Sequence, residues 1–582
     1  MNLEFNIAVH VLCFLAQHDQ EQFNSKELAK LTCLNPVQLR RVLAYLTEHN
    51  YIKVQRGKAG GYQANQHTAQ VDLAKLYQHF VLDKNNSQRR FTGDSDSHCQ
   101  ISKKIAHTMS HYYSQEHQIF TKIKILQMFW QIFYRRDKTM KNYDLIIIGF
   151  GKAGKTLAAH AAGHGQKVAV VEQSTKMYGG TCINIGCIPT KTLIHDGIEG
   201  NSFKESITRK KEVVQALNNK NYQGLNSKNN IDVLNYNAKF ISNEIIELQD
   251  SNGTIQETIT ADKILINTGS RANIPDIKGI DTAQNIYDST GLLNIDYQPQ
   301  ELVIIGGGYI ALEFASMFAN FGTHVTILER GDAIMTNEDQ DIANLIVKDL
   351  QDKGVTINTN TSTIAFSNNK DQTIIHTNHG EISADTVLLA TGRKPNTNHL
   401  GLENTDVKIG KQGEVIVNKH LQSTVKHIYA AGDVKGGLQF TYISLDDYRI
   451  IKSHLFGDGS RTTENRGAIP YTVFIDPPLS RVGLIASEAK LQGYDILDNK
   501  VFVSNIPRHK INNDSRGLFK AVINKDTKEI LGASLYGKES EELINLIKLA
   551  IDQHIPYTVL RDNIYTHPTM TESFNDLFLE PL

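Results

Sequence analysis

Cysteine is scarce in this chain: five residues in 582, an odd number. So sparse a set excludes a disulfide scaffold and leaves each thiol to redox chemistry or to core packing. Proline is scarce too, 12 against 41 glycines, and 40% apolar with 21% charged residues is the composition of an ordinary folded protein rather than a disordered or collagen-like one. No run reaches the roughly 18 to 20 apolar residues of a membrane span, the nearest being ILQMFWQIFY at 125–134. The amino-terminal apolar stretch carries Glu4 where a signal peptide has a basic flank, and no small-residue cleavage site follows, so a cytoplasmic location is expected. At roughly 100 to 200 residues per domain the length excludes a single core and predicts about three to five domains.

The net charge of −1 hides a division. Residues 1–139 hold 18 Lys and Arg against 11 Asp and Glu, a net +7, which leaves 43 against 51, a net −8, for residues 140–582. A basic front module points toward a polyanionic partner, although a solvated lysine-rich face has the same composition. The polar stretch YRRDKTMKNYD separates a helix-like region from the first strand-like run, DLIIIG, and the chain reads as two proteins joined near Met140.

In the front module Phe5, Ala8, Val11, Leu12 and Leu15 repeat at helical spacing. A second short helix follows Asn24 and Ser25, either of which can cap it. Asn35 and Pro36 supply an N-cap and a first-turn proline for a third helix, with Leu39, Val42, Leu43 and Leu46 on its apolar face. Gln38, Arg41 and Tyr45 share the other face. YIKVQRGKAGGYQAN then reads as two strands around a basic glycine-rich turn, the pattern of a winged helix-turn-helix. In such a module Gln38, Arg40, Arg41 and Tyr45 are placed to meet DNA, with Arg56 and Lys58 on the wing meeting phosphate or the minor groove.

RGKAGGY after a helix-turn-helix resembles the winged-helix repressor family of the iron-sulfur cluster regulator and the cysteine-metabolism repressor, over about residues 1–135. The resemblance implies operator binding as a dimer through an amphipathic helix from about Ser102. The cluster-binding members carry three closely spaced cysteines before that helix; here only Cys99 lies in that region, which argues against a cluster. Cys13 falls on an apolar helix face and reads as core. Cys33, before the reading helix, and Cys99, in a polar loop, lie outside any apolar period, and a thiol switch linking them is the expectation, against two unremarkable thiols.

The large module opens with strand, glycine-rich turn, helix and strand. Gly149, Gly151 and Gly154 form G-x-G-x-x-G, and Glu172 ends the second strand. The glycines allow a tight turn and close approach of a pyrophosphate to the helix N-terminus; the acid accepts a ribose hydroxyl. The unit recurs with Gly306, Gly308, Ala311 and Glu329. Two such units imply two facing dinucleotides, typically a flavin and a nicotinamide. Between them GGTCINIGCIPTKTL sets Cys182 and Cys187 with four residues between them. A zinc site needs two more ligands at suitable spacing and none is near, so no metal is expected. A redox pair fits better, since Pro189 is placed to begin a helix whose N-terminus favours a thiolate at Cys187. Far along the chain His567 precedes Glu572 by five residues, a carboxylate placed to orient an imidazole that handles a thiol's proton.

These residues resemble the flavin-dependent pyridine nucleotide-disulfide oxidoreductases, the family of glutathione reductase, dihydrolipoamide dehydrogenase and mercuric reductase, over about residues 141–582. The resemblance implies FAD and NADPH or NADH, a homodimer, and hydride transfer from nicotinamide to flavin to the Cys182–Cys187 disulfide. Cys187 is then the charge-transfer thiolate and Cys182 the attacking thiol. It makes IYAAGDV the second FAD motif, with Asp433 on the ribitol or pyrophosphate side, and makes ILINTGS with Gly269 and LLATGRKPNT with Gly392 the crossings between domains. Thr181 and Lys191 fall beside the flavin, Glu313 is the partner of Lys191, and His567 with Glu572 is lent to the other subunit. For the nicotinamide, Glu329 favours NADH whereas Arg330 beside it can accept the phosphate of NADPH.

The expected architecture is multidomain: an α-helical winged helix-turn-helix module for DNA binding and dimerisation at 1–135, a linker at 136–141, an α/β FAD-binding domain at 142–290 and 396–464, an NAD(P)-binding domain at 291–395, and an α+β dimerisation domain at 465–582. Mercuric reductases add a cysteine pair near the C-terminus, and no cysteine follows Cys187 here. CINIGCIPTKTL looks closest to bacterial reductases that protect against reactive chlorine species and hypothiocyanous acid. The expectation is such a reductase fused to a redox-sensing repressor. The alternative is a mercuric, glutathione disulfide or lipoamide reductase whose front module only binds DNA or dimerises.

Overall fold

The computed structural model describes residues 3–32, 34–55, 57, 60–82 and 140–579. It divides into two compact units, Met1–Met140 and Lys141–Leu582.

In the first unit, helix Leu3–Gln17 buries the expected face, and Cys13 joins that core at 1% exposure. Helix Ser25–Leu31 is started by Asn24, not Ser25: its side chain accepts from the backbone of Lys26 and Glu27 at 3.0 Å, and Glu27 accepts in return from the backbone of Asn24 at 2.8 Å. This reciprocal cap satisfies backbone donors that a helix start otherwise leaves unpaired. Asn35 and Pro36 begin helix Pro36–Glu48, whose Leu39, Val42, Leu43 and Leu46 are buried. Strands Ile52–Val54 and Tyr62–Ala64 pair antiparallel behind it. Gly61 is required there, because a Cβ would stand 2.6 Å from the carbonyl oxygen of Phe23, which pairs with Tyr62. Three helices and a hairpin make the winged helix-turn-helix. Cys33, Arg56, Lys58, Cys99 and the helix expected from Ser102 lie outside the described residues.

The second unit holds two nucleotide-binding sheets and a third domain. The first sheet runs in the order 231–234, 168–171, 141–148, 255–266, 245–249, 237–240, with 428–430 also paired to 255–266. Strands 231–234, 168–171, 141–148 and 255–266 are mutually parallel, and the apolar runs 145–148 and 168–171 are buried on both faces, as helices on either side of a parallel sheet require. The second sheet, wholly parallel, runs 286–287, 386–389, 301–305, 324–328, 356–358. The two crossing segments read from sequence pair with each other, Ser270–Ala272 against Arg393–Pro395, as an antiparallel ribbon. The C-terminal sheet is antiparallel, 471–473, 479–483, 530–536, 518–524, 496–502, and helix Ser540–Asp552 packs on it.

Two elements start earlier than the sequence reading put them. Lys141, assigned there to the linker, pairs with Ile259 in the first sheet. Ile286–Tyr287, assigned to the FAD-binding domain, is the edge strand of the second sheet, pairing with Val387 and Leu388. Both are strand ends whose partners lie about a hundred residues away, beyond the reach of local pattern. Among the described residues no helix is long and apolar enough to cross a membrane.

Candidate active site

The two glycine turns are built alike. Gly149 and Gly306 stand at φ +98° and +107°, a region glycine enters without strain. In the first turn the Glu172 carboxylate accepts from the backbone of Phe150 at 3.0 Å and of Ser174 at 3.1 Å. In the second, Glu329 accepts from the backbone of Gly307 and of Gly331, both at 2.7 Å. Each acid therefore fixes its turn. Burial raises the Glu172 pKa against the pull of its backbone donors.

Helices Lys152–Gly163 and Tyr309–Asn320 follow these turns, capped by Gly151 and Gly308 with no side-chain acceptor, so both N-termini are presented bare. Ala311 is fully buried beneath the second turn. Asn267 clamps the first turn, accepting from the backbone of Gly154 at 2.9 Å and donating to the carbonyl of Ala431 at 2.7 Å.

A cleft of about 1840 Å3 opens in front of the first turn and is lined by Gly149, Glu172, Thr181, Lys191, Gly269 and Asp433, among others. Asp433 accepts from the Ser270 hydroxyl at 2.7 Å, and that hydroxyl accepts from Arg393 Nε at 2.8 Å, so the carboxylate is held by the crossing ribbon itself. Gly392, at φ +96°, turns the chain into that ribbon.

Cys182 and Cys187 are free thiols and both line the cleft. Cys187 begins helix Cys187–Ile198, so Pro189 lies within the first turn rather than at its start. The two thiols divide their chemistry. Donation from the Cys182 thiol, the hydroxyl of Thr441 and the charge of Lys191 together hold Cys187 below the ordinary thiol pKa, against the effect of burial. The same hydrogen bond and burial push Cys182 up. A thiolate at Cys187 and a protonated Cys182 follow.

Lys191 pairs with Glu313 at 2.6 Å and lies over the Phe474 ring at 4.7 Å, while the other oxygen of Glu313 accepts from the Phe474 backbone at 2.9 Å. His567 Nδ1 stands 2.7 Å from Glu572, and its side chain is 72% exposed. Neither His567 nor Glu572 lines the cleft that holds the thiols within one chain.

Residues 143–447 match the pyridine nucleotide-disulphide oxidoreductase family, and residues 469–578 match the dimerisation domain of that family. The chain belongs to this family. Membership implies FAD and NAD(P)H, and the dimerisation domain implies a homodimer. The oxidoreductase is 49% identical over 439 residues to the probable pyridine nucleotide-disulfide oxidoreductase RclA of Escherichia coli (strain K12), covering 75% of this chain and 99% of that one. It is 34% identical over 452 residues to mercuric reductase of Staphylococcus aureus, covering 74% and 81%. A solved structure of the HOCl-induced flavoprotein disulfide reductase RclA from Escherichia coli, as its Cu(II) complex, superimposes with a TM-score of 0.74 at 48% identity, over 75% of this chain and 99% of that one. Residues 1–129 match the Rrf2 family, described as an iron-dependent transcriptional regulator. The oxidoreductase is thus an RclA-like enzyme fused to an Rrf2 regulator domain.

In the regulator domain Arg40 and Arg41 are exposed and Gln38 is half-buried on helix Pro36–Glu48. Tyr45 is drawn off that face: its ring stacks on His79 at 3.8 Å and meets Phe80 edge-on at 4.8 Å, contacts supplied by a helical turn 78–82 that the sequence reading did not foresee. In the oxidoreductase that reading also missed Thr441, Phe474 and Asn267. Thr441 follows the FAD motif in GGLQFTYISLDD, four residues after Gly437, and a lone threonine there carried no signal of its own.

Proposed function

We propose that this oxidoreductase uses FAD and NAD(P)H to reduce hypothiocyanous acid or a related oxidant derived from reactive chlorine at Cys182 and Cys187, and that its regulator domain is a thiol-sensing repressor of operator DNA. The observation that carries the enzymatic reading is the setting of the two free thiols: Cys187 begins a helix with Thr441 Oγ1 at 3.7 Å and lines one cleft with Cys182 and the Lys191–Glu313 pair, surroundings that favour the thiolate at Cys187. Likeness to RclA, an HOCl-induced flavoprotein, supports the choice of oxidant.

The cleft fits a flavin dinucleotide. Gly149 and Gly151, at a bare helix N-terminus, would hold the pyrophosphate, Glu172 a ribose hydroxyl and Asp433 the ribitol or pyrophosphate region, with Lys191 near the flavin. When bound, the flavin passes the two electrons of a nicotinamide hydride to the disulfide. The rest falls to the chain's own residues. With its proton taken by His567 of the partner subunit, Cys182 attacks the sulfur of hypothiocyanous acid; a bond forms between Cys182 and the thiocyanate sulfur, and hydroxide leaves and is protonated to water. Cys187 thiolate then attacks Cys182, forming the Cys182–Cys187 disulfide and expelling thiocyanate. Glu572 holds the imidazole in the tautomer that leaves Nε2 free.

For the regulator domain, Gln38, Arg40 and Arg41 on the exposed side of helix Pro36–Glu48, with Arg56 and Lys58 on the wing, are the proposed DNA contacts, and Cys33 with Cys99 the proposed sensor. The enzymatic test is anaerobic reduction by NAD(P)H, then hypothiocyanous acid, following the long-wavelength thiolate-flavin absorbance. Prompt discharge, abolished in Cys182→Ser, is expected. Discharge only by glutathione disulfide or lipoamide overturns the oxidant assignment. Failure of the full chain to retard its own promoter DNA overturns the repressor assignment.

A further inference from the structure

Between strands 356–358 and 386–389 of the second nucleotide-binding sheet the chain forms a smaller sheet of its own. Strands Thr363–Asn369, Gln372–Thr377 and Gly380–Ala384 pair antiparallel through two tight hairpins. One face is apolar: Phe366, Ile375 and Ala384 are buried with residues of the parallel sheet. The two-residue period of a strand sends the side chains between them to the other face. There Ala365, His376 and Glu381 stand opposite one another in one row, and Ser367, Ile374 and Ser383 in the next.

Three side chains connect across these rows. His376 Nδ1 stands 3.1 Å from Glu381 Oε1, directly across one strand pair. His376 Nε2 stands 2.7 Å from the Ser367 hydroxyl, diagonally across the other. Long side chains reach such diagonal neighbours. Ala365, directly opposite His376, presents only a methyl, so the imidazole is free to lean along the strand to Ser367. The carboxylate holds the ring N–H on Nδ1 and leaves Nε2 as the acceptor of the serine proton. His195, His554 and His567 also face carboxylates, but among the described residues none of them meets a hydroxyl at its other ring nitrogen. Hydroxyl, imidazole and carboxylate in this order are a nucleophile, its base and the acid that orients the base.

We propose that Ser367, His376 and Glu381 form a second catalytic site, independent of the redox pair, that takes small acyl groups from activated esters or thioesters. Ser367 Oγ attacks the carbonyl carbon while its proton passes to His376 Nε2. The bond to the leaving alcohol or thiol breaks, and that group carries away the proton from Nε2. Water, its proton taken by His376, then releases the acyl group from Ser367 as a carboxylic acid and restores the serine hydroxyl. Ser367 and His376 are the catalytic residues, and Glu381 is a positioning residue. Ser367 and Glu381 are exposed on an open sheet face, which restricts the site to substrates that bring their own good leaving group. None of the three lines the cleft that holds the thiols.

The full-length flavoprotein, with Cys182 and Cys187 oxidised to their disulfide so that neither competes, tests this with p-nitrophenyl acetate. Nitrophenolate release is followed by absorbance, and the acetyl group is located by mass spectrometry after an acid quench. Acetylation of Ser367 is expected, at a rate that falls about a hundredfold or more in His376→Ala. Ser367→Ala abolishes it. Glu381→Gln slows it about two- to fivefold, the worth of an exposed ion pair, and Glu381→Asp restores most of the loss. Flavin content and reduction by NAD(P)H stay at the parent level in all four variants, which separates loss of the site from loss of the fold. Acetyl groups confined to lysines with Ser367 unmodified, or a His376→Ala variant that acetylates Ser367 as fast as the parent, overturns the assignment. A Glu381→Gln variant at the parent rate overturns the role of the carboxylate.

Discussion

Thr441 Oγ1 lies 3.7 Å from Cys187 Sγ across 254 residues of chain, so that the first residue of helix Thr441–Phe456 faces the first residue of helix Cys187–Ile198. Two helix N-termini and one hydroxyl thus converge on a single sulfur. Cys187 is an acid whose pKa is depressed, to about 6, by the Cys182 thiol, Thr441 and Lys191. Its thiolate is therefore fully present above the ordinary thiol value and is lost as pH falls through about 6. In Thr441→Val the loss moves to higher pH by about one to two units, the usual worth of one hydrogen bond to a charged group. Thr441→Ser keeps the parent profile. The absorbance of the two-electron-reduced enzyme against pH reads this directly, and an unshifted Thr441→Val profile removes the hydroxyl from the account.

His567 and Glu572 form their own pair at 2.7 Å yet stand apart from the cleft that holds the thiols. If the partner subunit supplies them, inactive variants complement each other. Cys182→Ser mixed with excess-free equimolar His567→Ala, allowed to exchange subunits, regains about a quarter of the parent activity, because about half the dimers are hybrids with one intact site each. Activity that stays at the level of the separate variants places both halves of the site in one chain.

Legibility in the sequence followed distance along the chain. The glycine turns, the Cys182–Cys187 pair, the His567–Glu572 pair and the helix started by Asn35 were readable because each completes itself within a short window. The Lys191–Glu313 pair, 122 residues apart, was reached only through resemblance to a family. Thr441, Phe474 and Asn267 were not reached at all: a threonine, a phenylalanine and an asparagine are common residues, and what distinguishes each is a partner 113 or more residues away. Tyr45 shows the converse. Its helical face was right, but a later segment carrying His79 and Phe80 covers it, and no local pattern announces that cover.

Glu329 is predicted to favour NADH over NADPH. Backbone donors from Gly307 and Gly331 fix its carboxylate at the end of strand His324–Leu328, where a dinucleotide presents its ribose. A free hydroxyl can donate to it, whereas a phosphate meets like charge; Arg330 beside it is exposed. NADH is expected to give the higher kcat/KM by about tenfold, and Glu329→Gln to narrow that difference, mainly through KM for NADPH. Steady-state kinetics with both nucleotides settles it, and a parent enzyme that prefers NADPH assigns the dominant role to Arg330.

Two glycines of one helix should respond oppositely to the same change. In Gly154→Ala the new Cβ would stand 2.7 Å from Ile147, 2.9 Å from the Asn267 side-chain oxygen and 3.1 Å from the Gly149 carbonyl. Helix Lys152–Gly163 can then stay in place only if Ile147 and Asn267 both give way, and movement of Asn267 also releases the carbonyl of Ala431. The expected cost is about 1 to 3 kcal/mol, with loss of flavin because the turn that meets the pyrophosphate shifts with the helix. Gly163, the last residue of that helix, has open space where its Cβ would be and no positive φ. Gly163→Ala should therefore stabilise by about 0.4 to 1 kcal/mol through the unfolded chain alone, with flavin content unchanged. Thermal unfolding and flavin absorbance per chain measure both. A Gly154→Ala variant that keeps its full flavin content would mean that the helix need not approach the strand so closely for the dinucleotide to bind.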